Sequence, residues 1–322
     1  MKIDSLNILR AVSIVGIIIG HGCLQMNYEP FGRFCGYLFV QIFFLMSAYL
    51  LGIKYGSKPI DLPFLLKRWK RLSAVYYPFL IIVIVTLLLL GENVTLKNVV
   101  THFTYTNYFL QDTLWGVPFG GLWYISMMML CYVVLLFIRP GMERLFCGWY
   151  LAVFALVILG VSLLCIKVHI PCRIPIVLTT YMIVFFRARE ICLCIDKLNK
   201  VSISVMWILC NVLCLGLFLY WNLNEKLLAR DITVLITSCS WLLFFMKVLN
   251  GVKCGKIFEF ISCISFELYL VHPPFIIGKW SLLNQGVLTE NICINAFLAL
   301  LVMTIGAIIL NKIGNIIAKA IV

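Results

Sequence analysis

Apolar residues occur along this chain in long runs that polar residues interrupt only briefly. Stretches near the ~20 residues a helix needs to cross hydrocarbon lie at 8–26, 35–53, 72–90, 119–138, 146–165, 172–186, 203–221, 230–249, 257–278 and 292–311. The pattern predicts an all-α membrane protein with about ten transmembrane helices. The sixth run is short, and 98–115 reads either as an outer loop or as a dip into the membrane surface. The first run is too long for the apolar part of a secretory signal and lacks a small-residue cleavage site, so it reads as a retained span.

Composition agrees with this picture. Of 322 residues, 63% are hydrophobic and 12% charged, and mean hydropathy is +1.05, against the roughly 45–50% apolar content of soluble domains. Charge then sets the orientation. With the N-terminus in the cytoplasm, 19 of the 26 Lys and Arg residues fall on the inner side, six of them within 54–71. That satisfies the positive-inside rule and places both termini in the cytoplasm. The net charge of +13 does not indicate nucleic acid, because the basic residues are scattered over short loops and form no stripe.

The 14 cysteines sit mostly inside apolar runs, where a thiol acts as a small hydrophobe. Cys192 and Cys194 are spaced wrongly for a zinc pair, so neither a metal nor a disulfide framework is expected. No repeat or linker divides the chain, which predicts one domain over 1–322. The longest loop, 91–118, is aromatic with few charges and suits a folded outer cap. Its Tyr105, Asn107, Tyr108 and Trp115, with Trp123 nearby, read as a stacking surface for a sugar or as interfacial belt aromatics.

Ionisable groups inside the runs carry the candidate chemistry, since burying them in a membrane is costly. Arg10 and His21 are eleven residues apart, close to three helical turns, so they share one face about 16 Å apart along the axis. Arg10 alone also reads as an anchor that snorkels to the cytoplasmic headgroups. In the ninth run, Ser265, Tyr269 and His272 fall at i, i+4 and i+7, again on one face, and His272 comes to the same outer half of the membrane as His21. Glu267 points elsewhere on that helix and calls for a cation, a hydroxyl or its own proton. Lys67, Arg68, Lys70 and Arg71 precede the third run. They serve positive-inside topology or, with Arg10, bind an anionic, phosphate-bearing cofactor from the cytoplasm, since guanidinium forks match phosphate oxygens.

These residues resemble the membrane acyltransferase 3 family, multi-span O-acyltransferases of bacterial envelope polysaccharides. Four pieces match in order: R-x10-H at Arg10 and His21, preceded by Asn7-Ile8-Leu9; an F-F-x-x-S-G-Y-type element at Phe43, Phe44, Ser47, Ala48 and Tyr49; an R-x-x-R pair at Arg68 and Arg71; and an S-x-x-S-[YF]-x-x-Y-L-x-H element at Ser262, Ser265, Phe266, Tyr269, Leu270 and His272. Between them, Leu122, Trp123 and Tyr124 resemble the family's L-W-[FY]-L stretch. Ala48 stands where the family usually has glycine, and Met128 where some members carry Glu. The likeness is closest to the short, single-domain branch.

The resemblance implies acetyl-CoA, or another acyl-CoA, as cytoplasmic donor and a hydroxyl of a saccharide or lipid-linked polysaccharide as acceptor, in the cell (inner, cytoplasmic) membrane. A hydroxyl becomes a good nucleophile only when a positioned base takes its proton. His21 is the expected base, with a covalent acyl-histidine as a variant. His272 is expected to orient the acceptor or stabilise the oxyanion, and Arg10, Arg68 and Arg71 to hold the CoA phosphates. The rival reading is a transporter or flippase that uses the histidines as proton relays, although such folds usually show paired halves and none is visible here.

Overall fold

The structure is a computed structural model, and it describes residues 4–56, 60–110, 122–137, 142–146, 148–167, 173–223, 226–278, 280–284 and 289–321. Among these, the regular structure is helical: α1 Asp4–Gln25, α2 Glu29–Tyr55, α3 Leu62–Leu89, α4 Leu96–Phe103, α5 Trp123–Leu135, α6 Gly148–Lys167, α7 Arg173–Lys197, α8 Lys200–Leu223, α9 Leu227–Val248, α10 Lys256–Cys263, α11 Ser265–Ile276 and α12 Ile292–Ile321. Every one of the ten apolar runs meets a helix.

Seven helices, α1, α2, α3, α6, α8, α9 and α12, are long and apolar enough to cross a membrane. The other runs fall short for separate reasons. The fourth is covered by the 13-residue α5, with positions 119–121 and 138 outside the described residues. The sixth lies in α7, whose second half carries Arg187, Arg189, Glu190, Asp196 and Lys197. The ninth is not continuous: it is divided at Ile264 between α10 and α11. Burial is reversed relative to a soluble protein, with Leu209, Val212, Leu213, Leu300, Leu301, Ile305 and Ile309 all exposed on the long helices. Hydrocarbon is the medium such a surface matches.

The chain forms two compact units. The first comprises Met1–Ile17, Pro30–Ile60 and Phe137–Ser262. In it α8 pairs with α9, and α7 packs on α6 and α9. Trp207 stacks on Phe244 with centroids 4.4 Å apart, and Trp241 Nε1 donates to Asn211 Oδ1 at 2.8 Å. Close approach of α2 to α7 depends on Gly52, where a Cβ would stand 2.1 Å from the Phe185 carbonyl oxygen. At the starts of α7 and α9, Arg173 bonds Asp231 at 2.6 Å and Arg230 bonds the same oxygen at 3.2 Å. Both guanidinium groups lie over the Tyr37 ring, at 3.7 and 4.8 Å.

The second unit comprises Ile18–Glu29, Asp61–Leu136 and Cys263–Val322, so α1 contributes residues to both. Its centre is α3, which packs on α4, α5, α11 and α12. The start of α3 is fixed by Asp61, whose carboxylate accepts from Phe64 N at 3.0 Å, an N-cap worth about 1 kcal/mol. Gly314 lets α12 approach α3, since a Cβ there would lie 2.5 Å from Val75 Cγ2.

The loop expected to form an outer cap does something else. Tyr105 OH lies 2.7 Å from Ser73 Oγ, and Tyr77 OH donates to the Phe103 carbonyl at 2.9 Å. Ser73 is sixteen residues before α3 ends at Leu89, about 24 Å along the axis. After α3 the chain therefore turns back, and residues 96–108 re-enter alongside α3 and do not extend beyond its end. Positions 111–115 of the stretch left open between dip and loop lie outside the described residues. The tip of the descent meets the start of α5: Asn107 accepts from Ser126 Oγ, and Tyr108 packs on Trp123 with centroids 5.3 Å apart. Backbone that is irregular at membrane depth survives only where protein or a cavity satisfies it, and these side chains supply that contact. Ser73→Ala and Tyr105→Phe should each cost about 1 kcal/mol. In thermal unfolding in detergent the double variant should lose no more than either single change, whereas additive losses would mean that the hydroxyls do not bond.

Candidate active site

Two histidines separated by 251 residues meet in the second unit. His272 Nε2 and His21 Nδ1 are 2.9 Å apart, with ring centroids 4.9 Å apart and planes inclined by 30°. His272 Nδ1 lies 2.9 Å from the Leu268 carbonyl oxygen, one turn earlier on α11. A carbonyl only accepts, so Nδ1 of His272 carries a hydrogen. In the neutral ring Nε2 is then bare and accepts from Nδ1–H of His21. Nε2 of His21 is left with a lone pair and forms no hydrogen bond among the described residues. One backbone oxygen thus sets the tautomer of both rings.

The two rings differ in access. His272 is 0% exposed, and both its nitrogens are occupied within the protein. His21 is half-buried, so a reacting group can reach only His21. The expectation that His272 touches the acceptor or an oxyanion is not supported by this geometry.

Local sequence explains the arrangement. Pro273 and Pro274 follow His272 and supply no N–H, which releases the carbonyls of Tyr269 and Leu270 from the helical ladder just where α11 ends. Beyond it, Gly278, in a left-handed conformation (φ 89°), turns the chain back toward α1. Gly278 N donates to Gln25 Oε1 at 2.8 Å, Gln25 Nε2 donates to Asn284 Oδ1 at 2.6 Å, and Asn284 Nδ2 donates to the Gly278 carbonyl at 3.2 Å. Gln25 is one turn after His21 on the same helix, so this staple holds α1 to the α11 end beside the histidine bond.

The remaining candidates are distributed as follows. Tyr269 sits 6.0 Å from the His272 ring and meets Tyr124 edge-on at 5.1 Å, which brings the first turn of α5 to the site. Ser265 is buried in the first turn of α11. Glu267, also buried, accepts from Asn311 Nδ2 at 2.8 Å. Arg68 is half-buried, its guanidinium over the rings of Phe64 at 5.3 Å and Tyr132 at 6.0 Å. Arg71 is exposed and lies within electrostatic reach of Glu267. Trp123 opens α5 against Tyr108. Arg10 and Ser47 belong to the first unit. There Arg10 is half-buried on α1, the Ser47 hydroxyl is 3.1 Å from that of Tyr181, and Ser262 Oγ donates to Asn7 Oδ1 at 3.4 Å. Gln25, Asn284, Asn311 and the Leu268 carbonyl were not foreseen. Only Gln25 carried a signal, its i+4 spacing from His21. No group of metal-ligating side chains is found among the described residues.

An acyltransferase-domain family model matches residues 3–312 of this chain. The chain belongs to the acyltransferase 3 family. It is a membrane acyltransferase, and the match runs through both compact units. No curated protein and no solved structure matches it. In the acyltransferase labelled with 15N-histidine, the ring shifts of His272 should report a protonated Nδ1 and an unprotonated Nε2 at neutral pH. The opposite tautomer would break the hydrogen-bond order derived above.

Proposed function

We propose that this membrane acyltransferase moves an acyl group, most simply acetyl, from cytoplasmic acyl-CoA to a hydroxyl of a cell-envelope or exopolysaccharide sugar at the inner membrane. The observation that carries the reading is the histidine pair, which leaves one accessible unprotonated nitrogen, Nε2 of His21. That nitrogen takes the acceptor's proton as its oxygen attacks the thioester carbonyl. The new C–O bond forms, the C–S bond breaks, and the departing CoA sulfur receives the proton from His21. While His21 holds that proton its Nδ1–H remains bonded to His272, so the positive charge is shared over two rings.

His272 is therefore a positioning residue. It orients His21 and supports the imidazolium, as second-layer partners of catalytic histidines do. Arg68 and Arg71 hold the CoA phosphates. The acceptor approaches along the re-entrant segment, where the half-buried rings of Tyr108 and Trp123 offer a stacking surface, and membrane lipid surrounds the helices.

Purified protein incubated with radiolabelled acetyl-CoA and envelope glycans should yield alkali-labile label on the glycan. His21→Ala should lower transfer by about 10²–10⁴-fold, and unchanged transfer would remove His21 from the chemistry. His272→Ala should lower kcat by about 10–100-fold, with partial rescue by His272→Gln, whose amide oxygen can accept from His21 Nδ1–H. Equal losses in the two variants would reduce His272 to packing. Arg68→Ala or Arg71→Ala should raise the apparent KM for the donor and leave that for the acceptor unchanged. An unaltered donor KM would return these arginines to a purely topological role.

A further inference from the structure

Glu267 is an ionisable side chain at the site that the histidine pair does not use. It is 4% exposed. Its Oε1 accepts from Asn311 Nδ2 at 2.8 Å, and Asn311 Oδ1 accepts from Asn315 Nδ2 at 3.0 Å, which turns the Asn311 amide to donate. Its Oε2 is fully buried and has no hydrogen-bond partner among the described residues. An orphaned carboxyl oxygen inside a membrane protein is costly, and a packing role is already served by the Asn311 bond that joins α11 to α12.

Position identifies the missing partner. Glu267 precedes His272 by five residues on α11, about 7.5 Å along the axis toward that helix's start. The guanidinium of Arg71, on the adjacent α3, exerts its field on the same carboxyl. The free oxygen thus lies on α11 toward the helix start from the histidine assigned to the thioester, and α11 packs on α3, the helix that carries an arginine assigned above to the donor's phosphates. The part of an acyl-CoA that spans those two ends is the pantetheine arm, a chain of methylenes with two amides. An amide N–H is the donor that a lone carboxylate oxygen lacks, and such charge-assisted bonds are short and strong.

We propose that Glu267 Oε2 accepts an amide N–H of the donor's pantetheine arm and so fixes how far the thioester advances toward His21. The inference rests on the acyl-CoA reading. Its test uses the full chain in detergent, Glu267→Gln and Glu267→Leu, calorimetric binding of CoA, and two donors: acetyl-CoA and the S-acetyl thioester of 2-mercaptoethanol, which has no amide. Glu267→Leu should weaken CoA binding and lower kcat/KM for acetyl-CoA by about 10–100-fold, yet leave the truncated donor unaffected. Glu267→Gln keeps the shape of the side chain, but its single oxygen is held by Asn311 Nδ2 and its NH2 replaces Oε2. It should therefore lose about as much with acetyl-CoA, and it carries the comparison if the leucine variant does not fold. Unchanged CoA binding, or equal losses with both donors, would overturn the proposal. Absence of CoA binding by the unmodified protein would overturn the donor reading itself, and that failure appears before any variant is made.

Discussion

An imidazole can serve as a base only while one of its nitrogens keeps a lone pair turned toward the reactant, and in this protein that condition is set by a main-chain oxygen. The Leu268 carbonyl holds the proton on Nδ1 of His272, His272 Nε2 holds the proton on Nδ1 of His21, and the lone pair is delivered to the accessible edge of His21. The bond requires α1 and α11 to remain in register within a few tenths of an ångström. The Gln25, Gly278 and Asn284 bonds sit one turn away and serve that register.

The same unit surrounds the pair with interrupted helices. The ninth run breaks at Ile264 and carries two consecutive prolines in the last turns of α11, and the start of α5 is met by Asn107 and Tyr108, which follow α4. Unbroken helices offer a reactant only side chains, because their backbone groups satisfy one another. Breaks release carbonyls and N–H groups at depth, here the carbonyls of Tyr269 and Leu270 next to His272, and their aromatic neighbours Tyr124 and Tyr269 keep that region from being a simple aqueous gap. The first unit is built differently, from long apolar helices joined by Trp207, Trp241 and the shared Asp231 ion cluster, and bears no imidazole pair.

Much of this was legible in the sequence because both signals are periodic. Hydropathy over ~20 residues located every run that became a helix, and the 3.6-residue repeat placed Ser265, Tyr269 and His272 on one face of what became α11. Where helices break was not legible, since a window average cannot register one residue such as Ile264 leaving the helical region. The descent of residues 96–108 was equally hidden. Aromatic segments with few charges look the same at an interface and alongside a helix, and the bonds from Tyr105 to Ser73 and from Tyr77 to Phe103 tell them apart. The engagement of both His272 nitrogens was hidden for a related reason: sequence shows that a histidine is present, but not which of its nitrogens the backbone has already engaged.

The eight-residue α4 bears on how the protein is made. A segment that short is far below the length a bilayer accepts on its own merits, and isolated helices of that size are unstable. It reaches its depth only by leaning on a neighbour already in place, through Tyr77 and Ser73 of α3. The long helices therefore have to be in place before α4 can pack on α3.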